Sequence, residues 1–339
     1  MKILATDVAG ELAQRHWQVQ GQVEVLPSYA DQNFRIRSSQ GEFVLKLACP
    51  GWSYSDLDLE NQAMLLLGRA EPGIDWPRVQ AAVDGSHLLA LCVAGEQRLV
   101  RLLSFVPGTT YAAAIGQVSG AERRALQFSL GRVVACLNRG LSTLVHPAAA
   151  RQQDWNLLNL PQLLDEIAYI DDTALRCIVE QHTTSFCANL DAFRQRLPWG
   201  VLHHDANDLN VIVRRNDEGK AAVSSVIDFG DMCTGLRLAE LAVACTYAMQ
   251  HEAEPAACAQ QILQGYLSES PLSDEEQELL PSFILARLCH SILMATRTFR
   301  HHPENPYVLI SQAGVRGLLH VLHRQPQWLQ IARIKECSV

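Results

Sequence analysis

The residues able to do chemistry crowd into one stretch, VLHHDANDLNVIV, residues 201–213. Two histidines, two aspartates and two asparagines fall within eight positions, beside apolar β-branched residues. Such crowding next to a core is costly unless the polar groups pair with something. A second polar group, Asp228-Phe229-Gly230-Asp231, ends the next β-branched run. Segments 210–213 and 222–229 are predicted strands, joined by the turn-rich RRNDEGKA. A hairpin there brings Asp205, Asn210 and Asp228 to one rim. A carboxylate to orient a hydroxyl and take its proton, beside hard oxygen ligands for a divalent cation, is the equipment of phosphoryl transfer.

The spacing sharpens this. His203-His204-Asp205 is H-x-D, Asn210 lies five residues past Asp205, and D-F-G follows at Asp228. This is the pattern of kinase catalytic and metal loops. By composition the two pieces, in this order and range, arise by chance in roughly one chain in ten thousand. The same chemistry asks for a strand lysine on the phosphates and a helix glutamate to hold it. Lys46 in FVLK is that lysine, on the strand face opposite Phe43 and Leu45. Glu60 on the next helix is its expected partner, with Asp58 as the alternative.

The elements that must position these groups come in two blocks. Residues 1–106 read as strands with one or two helices. NFRIRSSQGEFVLKLA is a hairpin, SDLDLENQAMLLLGRA a helix capped by Ser55, and HLLALCVAGEQRLVRLLSFV a second hairpin turning at Ala94-Gly95. Residues 107–339 turn helical after the punctuation of PGTT. Capping boxes are predicted at Ser119 with Glu122 and at Ser273 with Glu276. A single long helix is predicted over TALRCIVEQHTTSFCANLDAFRQRL, and Pro281 is expected to end or bend the helix that contains it. The class is α+β: a small sheet-rich nucleotide-binding lobe, then a helical lobe with the catalytic loop and acceptor site.

Composition excludes several alternatives. A chain of 339 residues, 48% hydrophobic and 19% charged, can bury cores. The formal charge of -8 opposes binding to a nucleic-acid backbone. No secretory signal is recognised, and the longest apolar stretches, broken by charge, are expected to be too short for a bilayer. The ten cysteines form no C-x2-C or C-x4-C pair and read as reduced, mostly buried groups of a cytoplasmic protein. His203-His204 and His301-His302 lack metal-ligand spacing. A monomer or homodimer is expected, without nucleic-acid or membrane partners.

With these motifs in hand, the chain resembles the aminoglycoside phosphotransferase/choline kinase family, whose fold is similar to that of protein kinases. HHDANDLNVIV, VIDFGDMCTG and VRLLSFVPG are most similar to its hydroxylysine kinase branch. The likeness runs from about Leu26 to Leu322. It implies a protein-kinase-like two-lobe fold, with Asp205 as catalytic base, Asn210 and Asp228 on Mg²⁺, and ATP or GTP as donor. It also implies Lys46 on the α- and β-phosphates with Glu60 beside it, and the backbone of Ser104, Phe105 and Val106 on the purine edge. His203 would brace the catalytic loop. Two departures stand out. The phosphate-covering loop, residues 26–34, has no glycine, leaving Ser28 or Asn33 to help. The family's usual H-G-D is H-H-D here.

Only DMCTG separates Gly230 from the helix LRLAELAVACTYAMQ, so there is no activation segment and no A-P-E motif. The expected acceptor is a small molecule with an alcohol group, most simply a hydroxylated amino acid such as hydroxylysine. Candidate acceptor residues are His204, Asp208, Asp231 and Arg287, with the Arg297–His302 region as a further wall. Acidic groups suit an ammonium and arginine a carboxylate. Asp231 could instead cap a helix, Glu240 could brace the loop from its helix, and Arg297 and Arg300 could be merely solvated. Alternatives are a kinase for homoserine, choline, another amino alcohol or an aminoglycoside, and a catalytically silent kinase-like binding module.

Overall fold

Alternating apolar residues build the first sheet. In the computed structural model, which describes residues 4–28, 31–93, 95–303, 312–325 and 328, the chain divides into two compact units. The first is Met1–Pro107 with Leu144–Ala149; the second is Gly108–Thr143 with Ala150–Val339.

In the first unit, α1 (Thr6–Trp17) precedes β1 (Gly21–Leu26), β2 (Gln32–Ser38) and β3 (Gly41–Leu47). Then come α2 (Tyr54–Ala70), β4 (Val79–Gln80), β5 (Leu89–Val93) and β6 (Glu96–Ser104). The six antiparallel strands run β1-β2-β3-β6-β4, with β5 on β6. Register pairs Phe34 with Leu45 and Leu45 with Leu102, so these residues share a face. That face packs with Ala9, Ala13 and Trp17 of α1. A one-residue step along each strand reverses the face. Asn33, Lys46 and Arg101, paired across the same three strands, therefore lie together on the other side. There Arg101 reaches α2, where Leu57, Glu60 and Asn61 are buried.

The second unit opens with β7 (Thr109–Thr110), α3 (Tyr111–Ile115) and α4 (Gly120–Leu141). A stretch of 3-10 helix, Leu157–Tyr169, leads into α5 (Thr173–Ala188) and α6 (Leu190–Arg196). The catalytic segment supplies β8 (Trp199–Leu202), β9 (Val211–Arg215), β10 (Ala221–Val226) and β11 (Cys233–Leu236). The chain then runs through α7 (Leu238–Met249), α8 (Pro255–Leu267), α9 (Asp274–His301) and α10 (Gln312–Arg324). β10-β9-β7 form one small sheet and β11-β8 another. Both hairpins read from the first hundred residues and the β9–β10 hairpin are present.

Several local expectations change. Ser53, not Ser55, caps α2, in a capping box with Asp56. Ser119 precedes α4 without a side-chain cap bond, because Glu122 instead takes Arg215 and the Ala221 N–H of the β9–β10 hairpin. The Ser273–Glu276 box is present. The long helix predicted before β8 breaks at Asn189 into α5 and α6. α9 runs through Pro281 unbroken; burial on both sides of the proline outweighs the one lost ladder bond. It is long and apolar enough to cross a membrane, contrary to the sequence reading, but 83% of its apolar window is buried inside the protein, as in a core helix. Cys92 and Cys177 are exposed, whereas Cys136, Cys233, Cys245, Cys258 and Cys289 are buried.

The α4–α8 crossing is unusually close. A Cβ at Gly131 would lie 1.8 Å from the Ile262 carbonyl oxygen, and one at Gly265 1.9 Å from that of Phe128. Backbone cannot yield as a side chain can. Gly131→Ala is therefore expected to cost about 1–3 kcal/mol or more. Gly68→Ala, inside α2 with nothing within 4 Å, should be neutral or stabilising by up to about 1 kcal/mol. Urea midpoints of the two variants check the contrast.

Candidate active site

The catalytic loop lies between β8 and β9 and is held from below by one carboxylate. Glu240, in the first turn of α7 and fully buried, accepts the His203 N–H at 2.8 Å and the His204 N–H at 3.0 Å through Oε2. His203 adds a second brace. Its Nδ1 accepts the Asp205 N–H at 3.2 Å, so Nε2 carries the proton and donates to the Ile227 carbonyl at 3.1 Å. Burial keeps this imidazole neutral, its pKa down at about 4. Its ring meets Phe229 edge-on, centroids 4.7 Å apart, which ties the H-x-D loop to the D-F-G segment.

Asp205 is held in one orientation. Asn207 Nδ2 donates to its Oδ1 at 2.9 Å, and Asn210 Nδ2 donates to its Oδ2 at 2.7 Å and to its carbonyl at 3.0 Å. Hairpin register sets Val211 opposite Val226, and the Ile227 N–H bonds the Asn210 carbonyl at 2.9 Å. Asp228 thus follows directly from the residue locked to Asn210. Burial pushes the Asp205 carboxyl well above its usual range; Asp231 and Asp228 add to the rise and Arg287 opposes it. Asp205, Asn210, Asp228, Asp231 and Arg287 therefore share one electrostatic neighbourhood. His204 and Asp228 both stand at φ 65°, in left-handed backbone that side chains other than glycine rarely adopt. Strain of this kind persists only where the surroundings over-determine it.

His204 sits where the resembled family has glycine. It is 1% exposed, and its Nε2 has no hydrogen-bond partner. Gly235 on β11 makes room for it: a Cβ there would lie 2.8 Å from His204 Cε1 and Nε2. Burial, reinforced by Arg287, drives its pKa down to about 3. Of the other acceptor candidates, Asp208 turns elsewhere. Its Oδ2 meets His251 Nε2 at 2.6 Å, so one of its two carboxylate oxygens is engaged within the protein. Arg297 and Arg300 engage Asp154 and Glu166.

The sequence reading missed several contributors. Arg151 donates to the Gly230 and Met232 carbonyls at 2.8 and 2.7 Å, and Gln153 to Gly230 at 2.9 Å, bracing the segment after D-F-G. Trp155, Tyr247 and His290 surround Arg287. Apart from His290, which shares α9 with Arg287, these residues come from other elements, and none carries a local pattern that would mark it.

On the first unit the nucleotide-binding candidates fare unevenly. Glu60, expected to hold Lys46, is engaged by Arg101, a buried pair that Asn61 Oδ1 joins at 2.9 Å. Lys46 has Asp31 4.0 Å away. Arg101 is the cross-strand neighbour of Lys46 and sits deeper against α2, so it takes the glutamate. Asn33 Oδ1 is buried without a partner, and Ser28 is exposed. Tyr29 and Ala30, in the glycine-free loop, lie outside the described residues. The Ser104 N–H bonds the Arg78 carbonyl and the Phe105 N–H that of Glu42, each at 2.8 Å. These two N–H groups are therefore already committed within the sheet, which leaves the carbonyls of this segment as its groups toward a purine edge.

A sequence profile of the phosphotransferase enzyme family matches residues 22–279. The chain belongs to this family. The hydroxylysine kinase of Danio rerio is 30% identical over 315 residues, covering 87% of this chain and 85% of its own length. The homoserine kinase of Gluconobacter oxydans is 28% identical over 275 residues, 76% of this chain and 78% of its own. Among solved structures, amicoumacin kinase in complex with AMP-PNP, Ca²⁺ and Ami aligns with a TM-score of 0.67 at 16% identity, covering 94% of both chains. The phosphotransferase is a small-molecule kinase with the α+β, protein-kinase-like fold.

The donor set fits a divalent cation. Asn210 commits its Nδ2 to Asp205, so its Oδ1 is a hard neutral oxygen, and Asp228 close to Asp205 adds an exposed carboxylate. Among the described residues no three His, Cys, Asp or Glu side chains form a metal cluster. That suits Mg²⁺, which is commonly held by one or two protein oxygens together with substrate phosphates.

The brace also makes stability depend on pH. Burial raises the Glu240 carboxyl to about 7, against an ordinary value of 4.5; the two N–H bonds and Arg287 oppose the rise. The folded state then binds more protons than the unfolded one between those values. Its contribution to stability is full below about pH 4.5 and is lost as pH rises through 7. Relative to Glu240→Gln, the wild type should lose up to about 3 kcal/mol between pH 4.5 and 8. Urea melts of both proteins at the two pH values measure it. A pH-independent difference contradicts the assignment.

Proposed function

We propose that this phosphotransferase moves the γ-phosphoryl group of ATP or GTP to the alcohol of a hydroxylated amino acid, with hydroxylysine the first choice. The observation that carries the chemistry is Asp205, gripped by Asn207 and Asn210 and set beside Asp228. A base whose carboxylate oxygens are already fixed loses little freedom when it meets the acceptor hydroxyl. Asp205 takes the hydroxyl proton as the acceptor oxygen bonds to the γ-phosphorus, and the bond from phosphorus to the β-bridging oxygen breaks. Lys46 contacts the α- and β-phosphates, and the backbone of the Ser104–Val106 segment meets the purine edge. Asn210 and Asp228 hold Mg²⁺, which neutralises charge on the phosphates when bound. Glu60 acts at one remove, through Arg101 on the neighbouring strand.

Two features support the acceptor class. The relatives named for hydroxylysine and homoserine share a substrate type: an α-amino acid with a side-chain alcohol. Arg287, beside Asp205, supplies a cation for the carboxylate of such a molecule. Homoserine is the second reading on the same ground. The protein is proposed to work in the cytoplasm.

Asp205→Asn should lower kcat by about 10²-fold or more while nucleotide affinity survives. Nucleoside diphosphate release, with hydroxylysine, homoserine and choline as acceptors and ATP or GTP as donor, reads both parts. Unchanged turnover in the variant rejects the base. Turnover of choline in preference to both amino acids rejects the acceptor class.

A further inference from the structure

Arg287 is an unusual residue to find where it is. It lies on α9 within the run Leu280–Ala295, nearly all of it buried, and is itself 1% exposed. A buried guanidinium is costly unless an anion and hydrogen bonds compensate it. Its guanidinium carbon lies 4.7 Å from the Trp155 ring centroid and 5.6 Å from that of Tyr247. Nη1 donates to the Trp155 carbonyl at 3.0 Å, and Nη2 lies 3.5 Å from the Tyr247 hydroxyl. The nearest carboxylate oxygen among its ion pairs, Asp205 Oδ1, is 3.7 Å away, beyond a good hydrogen bond. Nε has no partner.

The surroundings point the same way. His204 Nε2 and Glu240 Oε1 are buried without hydrogen-bond partners. The His290 ring is buried too, and its approach to the Asp154 backbone falls short of a well-formed bond. Buried polar atoms are normally satisfied, and a cluster of unsatisfied ones around a rigid cation marks a place made for a polar ligand. His204 and His290 are held neutral, chiefly by burial and then by Arg287, so neither competes with the guanidinium for an anion.

We propose that Arg287 is the specificity-determining residue of the acceptor site: it receives the carboxylate of a hydroxylated amino acid and disfavours acceptors that carry only positive charge. The proposal rests on the reading of Asp205 as the base that meets the acceptor hydroxyl. With Nη2 already near Asp205, a molecule whose alcohol lies on Asp205 has its carboxylate within reach of Nε only if a few carbons separate the two groups. A quaternary amine or amino sugar brings a cation to the same place and meets like charge in a site shielded from water. A lysine at this position keeps the charge but loses the planar fork that matches a carboxylate.

The test pairs two acceptors with two proteins. The acceptors are 5-hydroxylysine and the same compound with its carboxyl converted to a carboxamide, which removes the negative charge and exchanges one acceptor oxygen for an NH2 donor. In the wild type the acid should exceed the amide in kcat/KM by about 10- to 100-fold, the range expected from losing a hydrogen bond to a charged group. This comparison needs no variant to fold. Arg287→Lys, verified by circular dichroism and nucleotide binding, should raise the KM for the acid by a similar factor and narrow the gap between acid and amide. Equal use of acid and amide by the wild type overturns the proposal. So does a folded Arg287→Lys protein whose kcat falls at unchanged acceptor KM, since that assigns Arg287 to holding Asp205 rather than to reading the substrate. Transfer to neither compound, nor to homoserine, overturns the reading of a hydroxylated amino acid as the acceptor, on which the proposal rests.

Discussion

The second unit's chemistry depends on one carboxylate buried beneath the catalytic loop. Glu240 Oε2 takes the backbone N–H groups of His203 and His204, both in a buried turn that no sheet ladder satisfies. A buried N–H left unpaired costs free energy comparable to a lost hydrogen bond. Satisfying two from one rigid helix fixes where the loop enters the core. From that point His203 locks Asp205 and Ile227, and Ile227 locks Asn210. The convergence of Asp205, Asn210 and Asp228 follows from these bonds, although the three residues lie in separate segments of the sequence.

The same constraint explains the strained positions. The turn forces φ 65° on His204, and glycine is the natural answer to such backbone. This chain keeps a histidine and places the missing side chain opposite it, at Gly235. The exchange puts a neutral, unpartnered imidazole nitrogen in the same polar cluster as Arg287. What reads as a departure from a family pattern is therefore a paired adjustment between a loop and β11.

How much was legible follows from how local each determinant is. The H-x-D, Asn and D-F-G positions are short-range and chemically dense, so spacing alone placed them, and the β9–β10 hairpin followed from its turn. The brace by Glu240 was readable because an acid inside an apolar helix near the motif needs a reason to be buried. The partner of Glu60 was not readable, since Lys46 and Arg101 are distant in sequence and become neighbours only through strand register. The committed N–H groups of Ser104 and Phe105 were hidden for the same reason. Trp155 and Tyr247 reach Arg287 from other elements, His290 lies three residues further along its own helix, and none of the three carries a pattern that marks it. Glu122 shows the opposite error: a valid local capping pattern lost to a tertiary partner on the β9–β10 hairpin.

The account's central claim is that Asn210 and Asp228 present their oxygens to one divalent cation at the rim beside Asp205. Electron paramagnetic resonance of Mn²⁺, titrated into the protein with nucleotide, tests it most directly. The account predicts one bound Mn²⁺ per chain and its loss in Asp228→Ala, with the fold intact. Stoichiometric Mn²⁺ binding that survives Asp228→Ala unchanged would contradict it.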